Sequence, residues 1–375
     1  MSYDKKYMER AIELAKKGVG AVNPNPLVGA VIVKDEKVIG EGYHTKYGEL
    51  HAEREALADA EIRGEDVKGA EMYVTLEPCS HTGKQPPCTE AIIESGIKRV
   101  YVGSNDPNPL VAGNGIWQLR TAEVEVVTNC MKDECDALNT VFFHYITTNT
   151  PYVVYKYAMT MDGKICTETG ESQWISNESS RNRVQSYRNE LMAIMVGIET
   201  VLADDPLLSC RLPQSDDTVI RNPIRIILDS DLRIPMDSKI VETGKEIKTY
   251  IASLSENEKK NRHKIRELKD KGIGTLLIPA DDRGKIGLAK LMSQLGKMHI
   301  DGILLEGGGT LAWSMINEGY VNEVRAFIAP KIFGGKNAKT PVAGKGIDSI
   351  ELAKTFSLTE LENIDGDIFA RYIKG

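Results

Sequence analysis

The hydrophobic positions at the start of the chain recur with helical period and then with strand period. Apolar residues share one helical face, namely Met8, Ala11, Ile12 and Ala15. Gly18 follows them and ends the predicted helix. The stretch AVIVKDEKVIGEGYH then predicts a β-hairpin with Asp35 and Glu36 near its tip.

Helical and strand patterns continue to alternate through the first part of the chain. A helix carrying Ala52, Ala56 and Leu57 precedes the strand MYVTL, and a short helix ending at Gly96 precedes the strand RVYVG. Such alternation predicts an α/β fold with a mostly parallel sheet covered by helices. The segment HYITTNTP, residues 144–151, is predicted to be a linker between domains at 1–147 and 148–375.

The second part starts again with a predicted strand, YVVYKYAMT. Further apolar strands are predicted at MAIMVG, PIRIILDS, KTYIAS, TLLIPA, DGILLEGG and EVRAFIAP. We expect this α/β alternation to continue to the end of the chain. The charged run SENEKKNRHKIRELKDKG has Ile265 and Leu268 three positions apart, which predicts a solvated surface helix with a narrow apolar stripe.

Composition excludes several classes of function. The 375 residues carry a net charge of −7, so no general attraction to nucleic acid or to an anionic membrane is expected. No apolar run approaches the roughly 20 residues of a membrane helix, and the amphipathic start is unlike a signal peptide, so a cytoplasmic protein is expected. Six cysteines are too few for a disulfide framework. The four without a proposed role, Cys130, Cys135, Cys166 and Cys210, are predicted to be unpaired thiols.

One set of residues predicts metal chemistry. His51, Cys79 and Cys88 offer one imidazole and two thiolates, which zinc favours, and three protein ligands leave a fourth position for water. Zinc lowers the pKa of such a water, and Glu53, two residues after His51, is placed to carry protons between water, a ring nitrogen and departing ammonia. Cys88 lies near a predicted helix N-terminus, which favours a thiolate.

Two other interpretations of this set stay open from the residues alone. His51, Cys79 and Cys88 could be packing or loop residues without a metal. Alternatively, zinc could be structural, with His81 or His44 as a fourth ligand. A closed structural site would leave Glu53 without a function.

The combination of H-x-E, P-C and a later cysteine is typical of zinc nucleobase deaminases, in which two residues usually separate the cysteines. Here eight residues, SHTGKQPP, separate them. With this departure the chain resembles the bifunctional deaminase/reductase family of riboflavin biosynthesis. The first half carries the resemblance in NPNPLVG, GYH, HAE, EPCSHTGKQPPC and SNDPNP. The second half carries it in YKYAMTMDGKI, SQWIS, VGIETVLADDPLLSCR, ILDS and EGGG.

The resemblance covers nearly the whole chain and implies its architecture and activities. It implies a cytidine deaminase-like three-layer domain followed by a dihydrofolate reductase-like α/β domain. The first would deaminate 2,5-diamino-6-(5-phosphoribosylamino)pyrimidin-4(3H)-one with zinc. The second would reduce the ribosyl group of the product to ribityl with NADPH. The resemblance also implies an assembly of identical subunits.

Site residues beyond the zinc set are likewise implied by the resemblance. The pyrimidine and its phosphoribosyl arm are expected at Asn25, His44 and Lys84. The dinucleotide is expected at Ala158, Trp174, Thr200, Asp204, Ser230, Gly308, Gly309, Thr310, Leu311, Ala312, Trp313 and Ser314. The substrate of reduction is expected at Ser172, Arg188, Leu208, Arg211 and Glu306. Apart from the resemblance, Lys156 in the first predicted strand of the second part is a candidate contact to the sugar chain, or an ordinary strand-edge lysine.

Local patterns in the second half are weaker signals. The EGGG turn before a helix suits phosphate binding, but it also suits a tight strand-to-helix turn, and it is not the G-x-G-x-x-G fingerprint. Arginine forks bind phosphate bidentately, yet Arg188 and Arg211 could equally be surface ion-pair residues. Asp204 could simply form a turn with the residues after it.

Two competing functions differ in class. A nucleic-acid deaminase with a targeting domain is disfavoured by the acidic charge balance and by the lack of a basic or aromatic-rich tract. The second half could instead be a non-catalytic oligomerisation module attached to a zinc deaminase. Binding of NADPH would separate that alternative from a reductase.

Overall fold

The computed structural model describes residues 3–81, 86–108, 112–213 and 219–375, so Lys84 lies outside the described residues. The chain divides into two compact units. The first comprises residues 1–149 with 214–220, and the second comprises 150–213 with 221–375. Each unit contains its own sheet.

The first unit is built on a sheet that has five strands in the described part of the chain, in the order β2-β1-β3-β4-β5. Its strands are β1 Gly29–Lys34, β2 Lys37–Tyr43, β3 Glu71–Leu76, β4 Arg99–Ser104 and β5 Glu125–Val127. Its helices are α1 Lys5–Lys16, α2 Ala52–Ile62, α3 Cys88–Ser95, α4 Asn114–Thr121, α5 Lys132–Leu138 and α6 Thr140–Thr148.

The prediction of a mostly parallel sheet is correct for only part of this unit. Strands β3, β4 and β5 are parallel, whereas β1 runs antiparallel to both β2 and β3. The predicted hairpin explains the difference, because Asp35 and Glu36 both have positive φ, at 49° and 62°. Such a two-residue turn requires antiparallel strands.

Helices cover both faces of this sheet. Val31 and Val33 pack with residues of α1, whereas Ala30 and Ile32 pack with residues of α2, α3 and α4. Because successive side chains of a strand point to opposite faces, the continuous apolar run of β1 is buried against both layers. The result is the expected three-layer arrangement.

Helix α2 lies very close to β2. A Cβ atom at Gly42 would stand 2.3 Å from the Ala56 nitrogen and 2.5 Å from the Ala52 oxygen, so only glycine permits this approach. The same packing places His51 at the N-cap of α2 and Glu53 in its first turn.

The second unit has a sheet that shows nine strands among the described residues, in the order β10-β9-β8-β7-β11-β6-β12-β14-β13. Its strands are β6 Tyr152–Thr160, β7 Ala193–Gly197, β8 Ile224–Leu228, β9 Thr249–Leu254, β10 Ile273–Ile278, β11 Gly302–Glu306, β12 Val321–Ala329, β13 Phe356–Ile364 and β14 Asp367–Lys374. Its helices are α7 Glu178–Glu190, α8 Ile198–Asp204, α9 Lys239–Glu242, α10 Asn257–Lys260, α11 Arg262–Asp270, α12 Leu288–Lys297 and α13 Gly309–Asn317. A short 3₁₀ helix spans Ile350–Leu352.

Strands β6 to β12 of this sheet are parallel, as the sequence predicts. The expectation of α/β alternation to the end of the chain is wrong, because β13 and β14 form an antiparallel hairpin on β12. Asp365 and Gly366 make its turn with φ of 48° and 98°. An Asp-Gly pair of this kind is a strong hairpin signal.

Two other local predictions need correction. The charged run forms two helices, α10 and α11, separated at Asn261, with Leu268 buried as expected. Residues 144–148 of the predicted linker are helical, because α6 continues to Thr148. The hydroxyls of Thr147 and Thr148 bond to carbonyls one turn earlier, which satisfies polar groups that suggested a loop.

Candidate active sites

Three separate elements supply the predicted zinc ligands. His51 precedes α2, Cys79 lies three residues after β3, and Cys88 is the first residue of α3. Arg54 of α2 donates to the carbonyls of Pro86 and Pro87, at 3.3 and 2.8 Å, and so holds the chain just before Cys88. Helix packing and these two hydrogen bonds together position His51, Cys79 and Cys88.

The spacing of the ligand atoms fits a tetrahedral zinc ion. The Sγ atoms of Cys79 and Cys88 each lie 3.5 Å from Nδ1 of His51, and all three atoms lie within 4.8 Å of one another. Zinc bonds of about 2.3 Å to sulfur and about 2.0 Å to nitrogen at tetrahedral angles place sulfur and nitrogen about 3.5 Å apart. In the described part of the chain, no other group of His, Cys, Asp or Glu side chains has ligand geometry of this kind.

The surroundings of Cys79 favour its thiolate. Hydrogen bonds from the Cys88 thiol and with the His51 ring lower the pKa of Cys79 to about 4, although burial opposes this. The backbone N–H of Cys88, at the start of α3, also donates to Cys79 Sγ at 3.3 Å. A thiolate at this position is the form that binds metal.

Glu53 is buried beside the ligand set, with 3% of its surface exposed. Burial, reinforced by the nearby Cys79 thiolate, raises the pKa of Glu53 to about 7. A carboxyl group near this value can both accept and release a proton at neutral pH, as general acid/base chemistry requires.

A cavity of about 270 Å³ opens beside these residues. His51, Glu53 and Cys79 line it, together with the sequence-predicted Asn25 and His44. The structure therefore brings five of the residues predicted for deamination to one cavity. Its volume suits a small ring with part of its substituent.

His44 is not available as a fourth metal ligand in this arrangement. Its Nδ1 lies 2.9 Å from the Leu50 carbonyl oxygen, which makes Nδ1 the donor. Its Nε2 then accepts from the Asn25 amide at 3.1 Å. His81 lines the cavity but does not belong to the ligand group. The geometry thus favours three protein ligands over four.

Sequence reasoning missed two acidic residues of the cavity wall. Glu77 is buried, and its carboxylate accepts four backbone N–H groups, from Asp106, Gly113, Gly115 and Ile116. Asp106 is also buried, which raises its pKa to about 6. A signal was present, since Glu77 precedes P-C and Asp106 lies within SNDPNP, but neither pattern shows which backbone groups converge there.

An ion cluster in the second unit joins three of the predicted substrate residues. Arg188 of α7 forms two 2.9 Å bonds with the Glu306 carboxylate and donates to the Ser209 carbonyl. Lys156 of β6 pairs in register with Glu306 of β11, with Nζ 4.0 Å from the carboxylate. Although burial opposes it, these two cations lower the pKa of Glu306 to about 2. Burial lowers the pKa of Lys156.

The other predicted substrate residues differ in setting. Arg211 is exposed, and its backbone N–H donates to Gln185 at 2.9 Å. Its guanidinium makes no hydrogen bond or ion pair with another described residue, so it can bind an anion. Leu208 is buried in a left-handed conformation with φ of 54°. Ser172 is half-buried in the segment after β6.

The predicted dinucleotide residues cluster at the carboxyl ends of adjacent parallel strands. Ala158 lies in β6, Thr200 and Asp204 in α8 after β7, and Ser230 follows β8. Trp174 is 59% exposed, and the centre of its ring lies 4.6 Å from the guanidinium carbon of Arg181. Carboxyl ends of parallel strands are the usual ligand site of open α/β sheets.

The glycine turn after β11 is shaped as a cradle. Gly307 and Gly308 have φ of 92° and 82°, and a Cβ atom at Gly307 would stand 3.1 Å from Thr200 Oγ1. Residues Gly309 to Ser314 begin α13, whose N-cap, Gly308, makes no side-chain bond to the first turn. Open N–H groups at a helix N-terminus without intervening side chains fit a dinucleotide phosphate.

Comparison with protein families matches each half of the chain. Residues 1–104 match the cytidine and deoxycytidylate deaminase zinc-binding region, and residues 151–370 match the RibD C-terminal domain. No helix in the described part of the chain is long and apolar enough to cross a lipid bilayer.

Relatives match over the whole chain. The riboflavin biosynthesis protein RibD of Actinobacillus pleuropneumoniae is 51% identical over 99% of this chain and 95% of its own length. RibD of Escherichia coli is 39% identical over 97% and 98%. Among solved structures, Acinetobacter baumannii RibD is 37% identical with a TM-score of 0.88, over 99% of this chain and 98% of that one. A Thermotoga maritima diaminohydroxyphosphoribosylaminopyrimidine deaminase/5-amino-6-(5-phosphoribosylamino)uracil reductase is 36% identical with a TM-score of 0.85, over the same shares.

Proposed function

The chain belongs to the RibD family of riboflavin biosynthesis, and from that premise we propose how its residues divide between two reactions. It is a bifunctional enzyme, a zinc-dependent deaminase and an NADPH-dependent reductase. Residues 1–147 form the deaminase domain and residues 148–375 the reductase domain. The phosphoribosyl diaminopyrimidine is deaminated first, and the resulting uracil is reduced in its ribosyl group.

In the deaminase, His51, Cys79 and Cys88 hold zinc, which when bound supplies a Lewis acid that activates water near neutral pH. Glu53 takes a proton from the water, delivers it to a ring nitrogen and then assists the departure of ammonia. Its pKa of about 7 suits both directions of transfer. Asn25 and His44 orient the ring, and Lys84 is assigned to the phosphoribosyl arm by family resemblance.

In the reductase, NADPH supplies the hydride, and the residues of the chain bind and orient both partners. Lys156 and Glu306 contact the sugar chain, since they are register partners on adjacent strands and their side chains are only 16 and 12% exposed. Arg188 holds Glu306 in position through two bonds. Arg211, with an uncommitted guanidinium, binds the substrate phosphate, and Ser172 and Leu208 make further contacts to the substrate.

One observation carries the deaminase assignment. Three ligand atoms at tetrahedral spacing lie beside a cavity that is lined by His51, Cys79 and Glu53, and the pKa of the buried Glu53 carboxyl group is raised to about 7. A structural zinc site does not need that carboxyl group. The alternative of a non-catalytic second half is not supported, because residues 151–370 match the RibD C-terminal domain.

Metal analysis combined with turnover tests the proposal. We expect one zinc per chain, with one nitrogen and two sulfur ligands by X-ray absorption. Ammonia should be released from the phosphoribosyl diaminopyrimidine without NADPH, and the ribityl product should form only when NADPH is added. Four protein ligands, or no ammonia, would contradict the assignment.

We also propose a cytoplasmic homo-oligomer. The edge hairpin of the reductase unit exposes Leu358, Leu361 and Ile368, at 52, 66 and 46%. Exposed apolar residues on an edge strand favour pairing with a second copy. Sedimentation equilibrium should give a mass at least twice that of the 41.4 kDa chain. A monomer at micromolar concentration would contradict the proposal.

A further inference from the structure

The residues proposed to line the dinucleotide lack a cation. Their side chains, at Ala158, Trp174, Thr200, Asp204, Ser230 and positions 308–314, include no lysine or arginine. NADPH differs from NADH by a phosphate on the 2′ oxygen of its adenosine ribose. Proteins that select NADPH accommodate that phosphate with a nearby arginine. These side chains themselves therefore supply no cation for the 2′-phosphate, and the basic groups that contact one of them, Arg181 and Lys331, both do so at Trp174.

The order of the strands indicates where that phosphate lies. Strands β8, β7, β11 and β6 are neighbours. Ser230, Thr200 and the glycine turn follow the carboxyl ends of the first three, and Ala158 lies near the carboxyl end of β6, two residues after Lys156. The reacting end of the cofactor must approach Lys156 and Glu306, where the substrate binds. Neighbouring strands are about 4.8 Å apart, so the carboxyl ends of β11 and β8, which are two strands apart, are separated by about 10 Å. The adenosine end is thus expected beside Ser230.

Arg233 lies three residues after Ser230, where the adenosine end is expected. Leu232 is left-handed, with φ of 53°, and turns the chain after Ser230. The Arg233 guanidinium then bonds to Glu199 Oε1 at 2.5 Å. Glu199 precedes Thr200 in α8, so Arg233 spans the gap between the segment after β8 and the start of α8. Its side chain remains 45% exposed and can reach a ligand.

We propose that Arg233 binds the 2′-phosphate of NADPH and determines the preference for NADPH over NADH. The inference rests on the proposed placement of the cofactor. A guanidinium has a planar fork of five donors, so one nitrogen can stay with Glu199 while others bind phosphate. The pair with Glu199 also pre-orders the side chain.

Two other basic side chains near this segment are engaged elsewhere. Lys264 of α11 donates to the Leu232 carbonyl at 2.6 Å. Lys239 of α9 pairs with Asp205 at 3.7 Å. A lysine is also a point charge without the bidentate geometry that phosphate favours.

The test compares the two cofactors with the full-length chain and the deaminated uracil as substrate. In Arg233→Ala, the ratio of kcat/KM with NADPH to that with NADH should fall about 10-fold or more, the scale of one charge-assisted hydrogen bond. Arg233→Lys should restore part of the ratio. Calorimetry should show weaker binding of 2′,5′-ADP to Arg233→Ala and a smaller change with 5′-AMP, which lacks the 2′-phosphate.

Arg283→Ala is the matched control. Arg283 is an exposed arginine of the same unit that pairs with Glu318 at 2.6 Å, so its removal breaks a comparable ion pair. Its ratio should equal that of the wild type. A ratio in Arg233→Ala within twofold of the wild type, or equal losses with both cofactors, would overturn the role of Arg233. Failure of the wild type to use NADPH would instead overturn the proposed function, and the inference with it.

Discussion

At the scale of single residues, burial and charge separate groups of the same chemical type. Glu53 is buried and the Glu306 side chain is only 12% exposed, but their pKa values move in opposite directions, to about 7 and about 2. Glu53 lies beside a thiolate, whereas Glu306 lies between Arg188 and Lys156. The first is suited to move a proton, and the second to remain an anion that orients its neighbours.

Glu53→Gln tests the proton-carrying role. The amide has nearly the same volume but cannot transfer the proton, so zinc should stay bound while deamination falls about 10² to 10⁴-fold. Reduction of the deaminated uracil with NADPH should be unchanged. Ammonia release, NADPH oxidation and zinc content measure these effects.

Glu55→Gln is the control, since Glu55 lies in the same first turn of α2 but does not line the cavity. It should keep both activities. If Glu53→Gln retained deamination, Glu53 would not carry the proton. If it lost both activities with zinc and folding intact, the division between domains would be wrong.

Arg211→Ala tests recognition of the substrate phosphate. Because its guanidinium is exposed and Arg188 is committed to Glu306, Arg211 should supply most of the charge for the phosphate. We expect KM for the deaminated uracil to rise about 10-fold or more, from bonds each worth roughly 1.5 to 3 kcal/mol. Steady-state kinetics with phosphorylated and dephosphorylated substrate make the measurement.

The wild type should strongly prefer the phosphorylated substrate, and Arg211→Ala should lose that preference. Arg262→Ala removes an exposed arginine of α11. It should change neither KM for the deaminated uracil nor the preference for the phosphorylated substrate. Equal use of both substrates by the wild type would show that Arg211 has no phosphate to bind. Arg188→Ala is a poorer test, because it leaves Glu306 buried with one fewer partner.

At the scale of secondary structure, close packing of α2 on β2 sets the position of the deaminase residues. Gly42 lies in β2 with the backbone of α2 directly above it. His51 is the N-cap of that helix and Glu53 lies in its first turn, so a small displacement of α2 moves both. Cys79 and Cys88, on other elements, would not move with them.

Gly42→Ala should therefore impair the metal site through packing alone. The new methyl would stand 2.3 Å from the Ala56 nitrogen and must push α2 outward. Overpacking of this kind costs about 1 to 3 kcal/mol. We expect a lower unfolding temperature for the first unit, reduced zinc content and reduced ammonia release, measured by calorimetry and metal analysis.

Lys37→Ala provides the comparison within the same strand, because Lys37 is an exposed residue at the start of β2. It should leave zinc content and deamination at the wild-type level. Normal zinc content and stability in Gly42→Ala would show that α2 can shift without disturbing its N-terminal residues.

At the scale of the whole molecule, the groups proposed for each reaction lie within one unit. The proposed zinc ligands His51, Cys79 and Cys88 all lie in the first unit, whereas Lys156 and Glu306 lie in the second. Each sheet has its own hydrophobic core. Two reactions with different cofactors can therefore depend on separate local environments.

Removal of zinc should separate the two activities. A chelator should abolish ammonia release, because the activated water is lost, and it should also lower the stability of the first unit. NADPH oxidation with the deaminated uracil should persist, and added zinc should restore deamination. Parallel loss of both activities would show that metal binding also supports the reductase unit.

The sequence by itself determined the family, the alternation of helices and strands ahead of the last hairpin in broad outline, and the residue types proposed as zinc ligands. Metal ligands must be of particular chemical types, and HAE and EPCSHTGKQPPC carry those types close together in the chain. Hairpin turns such as Asp35-Glu36 and Asp365-Gly366 are also local, although only the first was recognised from the pattern. Ligand types and turn residues that lie close together in the chain can be recognised from the sequence alone.

Only the tertiary structure decided which distant groups meet. Arg188 and Glu306 are 118 positions apart, and their pairing left Arg211 as the arginine with an uncommitted guanidinium. The same holds for the convergence of backbone N–H groups on Glu77, for the pKa of Glu53, and for the place of Arg233 beside Glu199. Such contacts arise from strand order and helix packing, and each depends on burial, which no short stretch of sequence contains.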